Sequence, residues 1–207
     1  DGLNLLFALI LVGGGLVVTA AFGFRGDARP GFYPLLVVLL LSLAGLLRAA
    51  TSLEFFFGWE VMTLSSYLLV SLGKDSIKQI LGYLLFSLGS AFFLLAGFAL
   101  AYAASGSIEL AALGQVGSTA DTVFALLAVG FLIKAGGLGV HIWLPGTYAE
   151  SDDDFSAVLS AVVSKASMFG LLLVAGLLGV RAEIGLNPAY VLGWIGMLTA
   201  VLGAIGM

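Results

Sequence analysis

The chain has 207 residues, 61% hydrophobic and only 10% charged, with 8 Lys and Arg against 12 Asp and Glu and a formal net charge of −4. Soluble domains carry about 25% charged residues, so this composition excludes a water-facing globular protein and requires a lipid bilayer. The lack of Cys removes disulfides, thiolate metal sites and cysteine-ligated clusters; the single His removes a multi-His metal site; and the lack of a basic run argues against nucleic-acid partners.

A spanning helix needs about 20 mostly apolar residues. That rule predicts an all-α, polytopic transmembrane bundle with about seven spanning segments, forming a single domain over 1–207. The first, 3–21, contains Gly13-Gly14-Gly15, but no lysine follows it as a phosphate loop requires. The second, 32–47, is short and is separated from the third by Arg48 and Thr51. The third, 53–72, opens on Glu54, expected at the interface, and carries Glu60 near its centre. The fourth is 80–104. The loop 105–121 has no Lys or Arg, offers a short interfacial helix at 108–116, and ends on Asp121, also expected at the interface.

The fifth segment, 122–149, is too long for one straight span. It holds Lys134, then Gly136-Gly137-Leu138-Gly139, then His141 and Pro145-Gly146. Glycine favours an interruption and proline a helix end. The expected arrangement is a broken helix, one half ending near Lys134–Gly139 and the other covering roughly 140–144. Irregular backbone at membrane depth persists only where it is buried in protein or lines a wet cavity, so a break beside a lysine points to a transport path. The sixth segment, 155–178, carries Lys165 near its middle, and the seventh is 188–207.

Three ionisable residues, Glu60, Lys134 and Lys165, therefore fall at mid-membrane. Each costs about 2.5–3.5 kcal/mol on insertion scales, a cost that a functional role would explain. Glu60 shares a helix face with Thr63 and Tyr67, three and seven residues on, which makes a polar stripe suited to a bundle interior. A lysine in a low dielectric gives up its proton readily, and a movable carboxylate opposes that loss. Lys134 with Glu60 thus reads either as a proton-loading pair or as a static bridge. Lys165 sits among small and hydroxylated neighbours, including Ser160 and Ser164, which leave room for water. His141 reads equally as a relay or as a hydrogen-bonded structural residue.

Arg25, Arg29, Lys74 and Lys78 fall on one side of the membrane, Arg48 and Arg181 on the other. The positive-inside bias puts the first group in the cytoplasm and residue 1 outside. The chain starts at Asp1 and stops at Met207 within an apolar run, so it is expected to be a piece of a longer polytopic protein.

These stretches resemble the antiporter-like subunits of respiratory complex I, Mrp-type sodium/proton antiporters and membrane-bound hydrogenases. Trp59-Glu60-Val61-Met62-Thr63-Leu64-Ser65-Ser66-Tyr67-Leu68-Leu69-Val70 is similar to the family's W-E-L-M-x-L-x-S-Y-x-L-V helix. Lys134-Ala135-Gly136 followed by His141-Ile142-Trp143-Leu144-Pro145 is similar to its broken helix. Ser156-Ala157-Val158-Leu159-Ser160 through Lys165 and Phe169-Gly170-Leu171 is similar to its central lysine helix. Glycine replaces the family's usual proline ahead of the Leu-His of that break. Asp152-Asp153-Asp154 stands where many members have Pro-Ser or Pro-Thr, which favours a less common branch.

The resemblance implies that Glu60 is the essential buried glutamate, Lys134 the broken-helix lysine, Lys165 the central relay lysine and His141 the polar residue at the break. It implies two inverted five-helix units, the first at about 32–178 here with one helix before and one after. It further implies a proton-translocating subunit of a redox-driven complex in a prokaryotic plasma membrane, with other membrane subunits as partners and no cofactor, metal or catalytic residue of its own. An Mrp-type subunit that also carries Na+ and a scaffold whose buried charges only fix helix packing remain the alternatives.

Overall fold

Hydrocarbon offers no hydrogen-bond partners, so each crossing segment must satisfy its own backbone, and a helix does so locally. The computed structural model describes residues 2–23, 30–72, 77–150, 153–179 and 187–205, and it bears out the all-helical, polytopic reading. Helix α1 covers 2–23, with a π-helical turn at Leu9–Gly13. Then follow α2 (Phe32–Arg48), α3 (Ser52–Ser71), α4 (Ile77–Ser105), α5 (Ala120–Ala135) and α6 (Trp143–Glu150). Helix α7 covers 153–178 with a second π turn at Leu159–Val163, and α8 is Pro188–Ile205. Among the described residues, six helical segments are long and apolar enough to cross a membrane, and α2 is a shorter apolar one. No strand forms among them beyond an isolated bridge between Thr51 and Glu109.

The start of α3 shows why Glu54 is where it is. Thr51 Oγ1 accepts from Glu54 N at 3.1 Å, while Glu54 Oε2 accepts from Ala50 N at 2.8 Å and Thr51 N at 3.1 Å. This capping box satisfies backbone donors that the first helical turn leaves free. The loop before α5 is stitched to the same corner, with Ser52 N donating to Ile108 O at 2.7 Å and Leu110 N to Ala50 O at 2.9 Å. The interfacial helix expected at 108–116 is a 3-10 helix over Leu110–Gln115, followed by another turn at Gly117–Thr119.

Without a hydrophobic drive between helices in lipid, packing rests on close approach and van der Waals contact. Helices α3, α4 and α5 make the centre of the bundle, α2 lies against α3, and α7 covers α5. Ser90 Oγ on α4 donates to Gly130 O on α5 at 2.8 Å. A Cβ at position 130 would stand 3.0 Å from Ser90 O and 2.9 Å from Leu94. The π turns of α1 and α7 pack against one another, and Phe7 meets Phe169 at 5.4 Å between ring centroids. No described residue of α8 is buried; it touches the bundle along α5.

The predicted break is present, with a correction to its second half. Helix α5 ends at Ala135, and Gly136 takes φ +73°, a left-handed conformation that suits glycine. Gly137 N donates to Leu132 O at 2.9 Å and Gly136 N to Ile133 O at 3.4 Å. These two bonds make a Schellman stop, which satisfies carbonyls orphaned at a helix end. The second half begins at Trp143, not at 140, and it continues through Pro145 to Glu150. Pro145 lies in the first turn of α6, where its missing N–H costs nothing, so the proline helps to start this helix and does not end the preceding one.

Candidate functional site

Lys134 occupies the last turn of α5 and is 1% exposed. The negative end of the helix dipole favours a cation there. Its Nζ donates to Ser87 Oγ on α4 at 2.7 Å and lies 4.3 Å from the ring centroid of Tyr83, one helical turn before Ser87. The Tyr83 hydroxyl is hydrogen-bonded to Ser66 Oγ on α3, and the tyrosine is fully buried. The Trp143 ring meets the Tyr83 ring edge-on at 5.2 Å. Trp143 Nε1 donates to Ile133 O at 2.8 Å, which ties the start of α6 to the carbonyl just before Lys134. Four helices thus converge on the buried Lys134 amino group.

Glu60 stands on α3, half-buried, with Oε1 lacking a hydrogen-bond partner. It does not bond to Lys134, whose hydrogen bond goes to Ser87, yet the two charges act on each other through the interior. Thr63 is buried and Tyr67 half-buried, so the stripe from Glu60 does face the bundle. The indole Nε1 of Trp59, Thr63 Oγ1 and Ser167 Oγ are buried without protein partners.

Lys165 is exposed on α7 within the described residues, and Ser160 beside it is exposed as well. Ser164 is half-buried and donates to Leu159 O at 3.3 Å across the π turn. The structure therefore does not join Lys165 to the Lys134 cluster directly. Ser156 Oγ on α7 donates to Tyr148 O on α6 at 3.3 Å, which ties the second half of the broken helix to the Lys165 segment. His141 lies in the link between α5 and α6, half-buried, with Nδ1 unpartnered. Asp121 is exposed in the first turn of α5. Arg25, Arg29, Lys74, Arg181 and Asp152 lie outside the described residues.

Sequence reading misses Tyr83, Ser87, Trp143 and Tyr148 as site residues. A signal for the first two exists: Tyr83, Ser87 and Ser90 recur at helical spacing in a segment otherwise almost wholly apolar, the pattern that marks Glu60, Thr63 and Tyr67. The group can hold an ammonium in a fixed, nearly dry setting with a carboxylate within electrostatic reach. Among the described residues no cluster of His, Cys, Asp and Glu suited to a metal occurs.

Residues 49–207 match the family model described as NADH:quinone oxidoreductase/Mrp antiporter, transmembrane. Hydrogenase-4 component B of Escherichia coli is 33% identical over 187 residues, covering 87% of this chain and 26% of that protein. A putative antiporter subunit, mnhA2, of Staphylococcus aureus is 29% identical over 220 residues, covering 99% of this chain and 27% of its own length. The chain thus spans about a quarter of the length of the curated relatives it matches. In respiratory complex I from Thermus thermophilus, one chain superposes on all of this one with a TM-score of 0.82 at 27% identity, using 45% of its own length.

Proposed function

This chain belongs to the NADH:quinone oxidoreductase/Mrp antiporter transmembrane family, and from that membership we propose that it forms part of a proton-translocating membrane subunit of a multisubunit, redox-driven complex. The observation that carries this reading is the buried Lys134 ammonium at a helix break, held by Ser87 and the Tyr83 ring while Glu60 stands apart but electrostatically coupled. A static structural bridge would join the carboxylate and the ammonium directly and satisfy both. A separated pair beside irregular backbone is an arrangement that a change of state can close. In this reading closure draws the charge of Lys134 toward Glu60, and separation releases a proton toward Lys165, with the Ser160 and Ser164 hydroxyls of the Lys165 segment as supporting polar groups. His141 serves as relay at the break. The protein sits in a prokaryotic plasma membrane with residue 1 extracytoplasmic. The stretch 32–178 is the first of two five-helix units, and partner subunits supply the redox chemistry.

Glu60→Ala or Lys134→Ala, introduced into the full-length protein in its complex, abolishes proton uptake by inverted membrane vesicles given the electron donor. Wild-type uptake by either variant overturns the reading. A scaffold role predicts instead that exchanging the two residues preserves both assembly and transport. A second reading, an Mrp-type sodium/proton antiporter subunit, draws on the similarity to the S. aureus putative antiporter subunit over 99% of this chain. It requires sodium-dependent proton efflux from reconstituted vesicles with no electron donor present.

A further inference from the structure

Lys134 has a second partner, and it is not a carboxylate. A cation within about 6 Å of an aromatic centroid is attracted by the negative face of the ring, and the attraction grows when both are removed from water. Here the distance is 4.3 Å, the lysine is 1% exposed and the tyrosine has no exposed surface. The ring is also immobilised on every side that matters. Its hydroxyl is bonded to Ser66 on α3, its face is set by Trp143 from α6 at 5.2 Å, and Ser87, its neighbour one turn along α4, takes the ammonium's hydrogen bond. A side chain fixed in this way keeps its face presented to the lysine at no further ordering cost.

We propose that Tyr83 is a positioning residue for Lys134, its ring face being the neutral partner that holds the ammonium while Glu60 stands apart. The inference rests on the proton-translocation reading above and adds to it the partner from which Lys134 must be released. The titratable groups around the site are Glu60 from α3, Tyr83 from α4, Lys134 itself on α5, Tyr148 from α6 and His141 in the link; Lys165 on α7 is exposed. Of these, Tyr83 alone places an aromatic face on the ammonium among the described residues. Because the ring stabilises the charged lysine and not the neutral one, weakening the face lets the proton leave at lower pH.

The test compares the full-length complex carrying Tyr83→Phe with one carrying 3,4,5-trifluorophenylalanine at position 83, a ring of nearly the same size with a depleted negative face. Proton translocation by inverted vesicles is measured against pH, together with the amount of assembled complex and with Lys134→Ala as control. The expected result is a half-maximal point moved toward acid by about half a unit to one unit for the fluorinated ring relative to Tyr83→Phe, both rings lacking the hydroxyl. Coinciding profiles for the two rings, with Lys134→Ala inactive, overturn the Tyr83 inference and leave the translocation reading intact. An active Lys134→Ala overturns both. Failure of Tyr83→Phe to assemble also overturns the inference, since the hydroxyl bond to Ser66 would then be the contribution of this residue.

Discussion

Helices α3, α4 and α5 build two regions of opposite character within one bundle. Toward the start of α3 and the end of α4, Phe55, Trp59, Phe98 and Phe131 pack as a nearly dry aromatic block. Phe131 lies 5.3 Å from Trp59 and 6.0 Å from Phe55, and Phe98 is 5.9 Å from Phe55. Toward the other end, the same helices bring together Ser66, Tyr83, Ser87 and Lys134. The aromatic block satisfies almost nothing by hydrogen bonding and gains from contact area and ring geometry. The polar region gives up that contact to hold one charge in place. Lys134 and Phe131 are less than one turn apart on α5, so the change from fixed packing to titratable chemistry takes place within a single helical turn, with Glu60 at the boundary on α3.

Removing the chemistry while leaving the packing gives the largest effect: Lys134→Ala eliminates proton uptake in the vesicle assay, while the yield of assembled complex stays near wild type. Attacking the other region should do the reverse. Phe131→Ala is expected to cost about 3–5 kcal/mol, as large-to-small changes in tight cores do, read as a lowered unfolding midpoint in detergent, with residual transport scaling with the protein that remains folded. Gly130→Ala tests the seam through which both regions run, because its Cβ would meet Ser90 O at 3.0 Å. Overpacking of this kind costs about 1–3 kcal/mol, and the same unfolding measurement reports it. The smallest effect belongs to Ser66→Ala. Interhelical hydrogen bonds in membranes average about 0.6 kcal/mol, so thermal stability should barely move. A loss comparable to that of Phe131→Ala would mean that the polar region carries as much of the fold as the aromatic one.

The same contrast explains what was legible in the sequence. Charges in apolar runs stand out because their insertion cost is high, so Glu60 and Lys134 are evident from hydropathy alone. The broken helix is evident because Gly136, Gly137 and Gly139 interrupt a segment too long for one span. The start of its second half is not evident, since Pro145 signals a stop in mid-helix and a start in a first turn, and only the register of Trp143 decides between them. Tyr83 escapes notice for the opposite reason to Lys134. A tyrosine in an apolar helix carries no insertion penalty that demands an explanation, and its importance arises from Ser66, Trp143 and Lys134, which lie on three other helices.

The amide of Leu138, within the link after the glycine stop, donates to Thr199 Oγ1 on α8 at 3.0 Å, and Thr199 in turn donates to Ile195 O at 2.6 Å. Helix α8 has no buried residue among those described, yet it supplies the acceptor for this peptide. That bond ties the link to α8, which otherwise packs along α5. The peptide four residues after Lys134 is thus held in place in part by a side chain of α8.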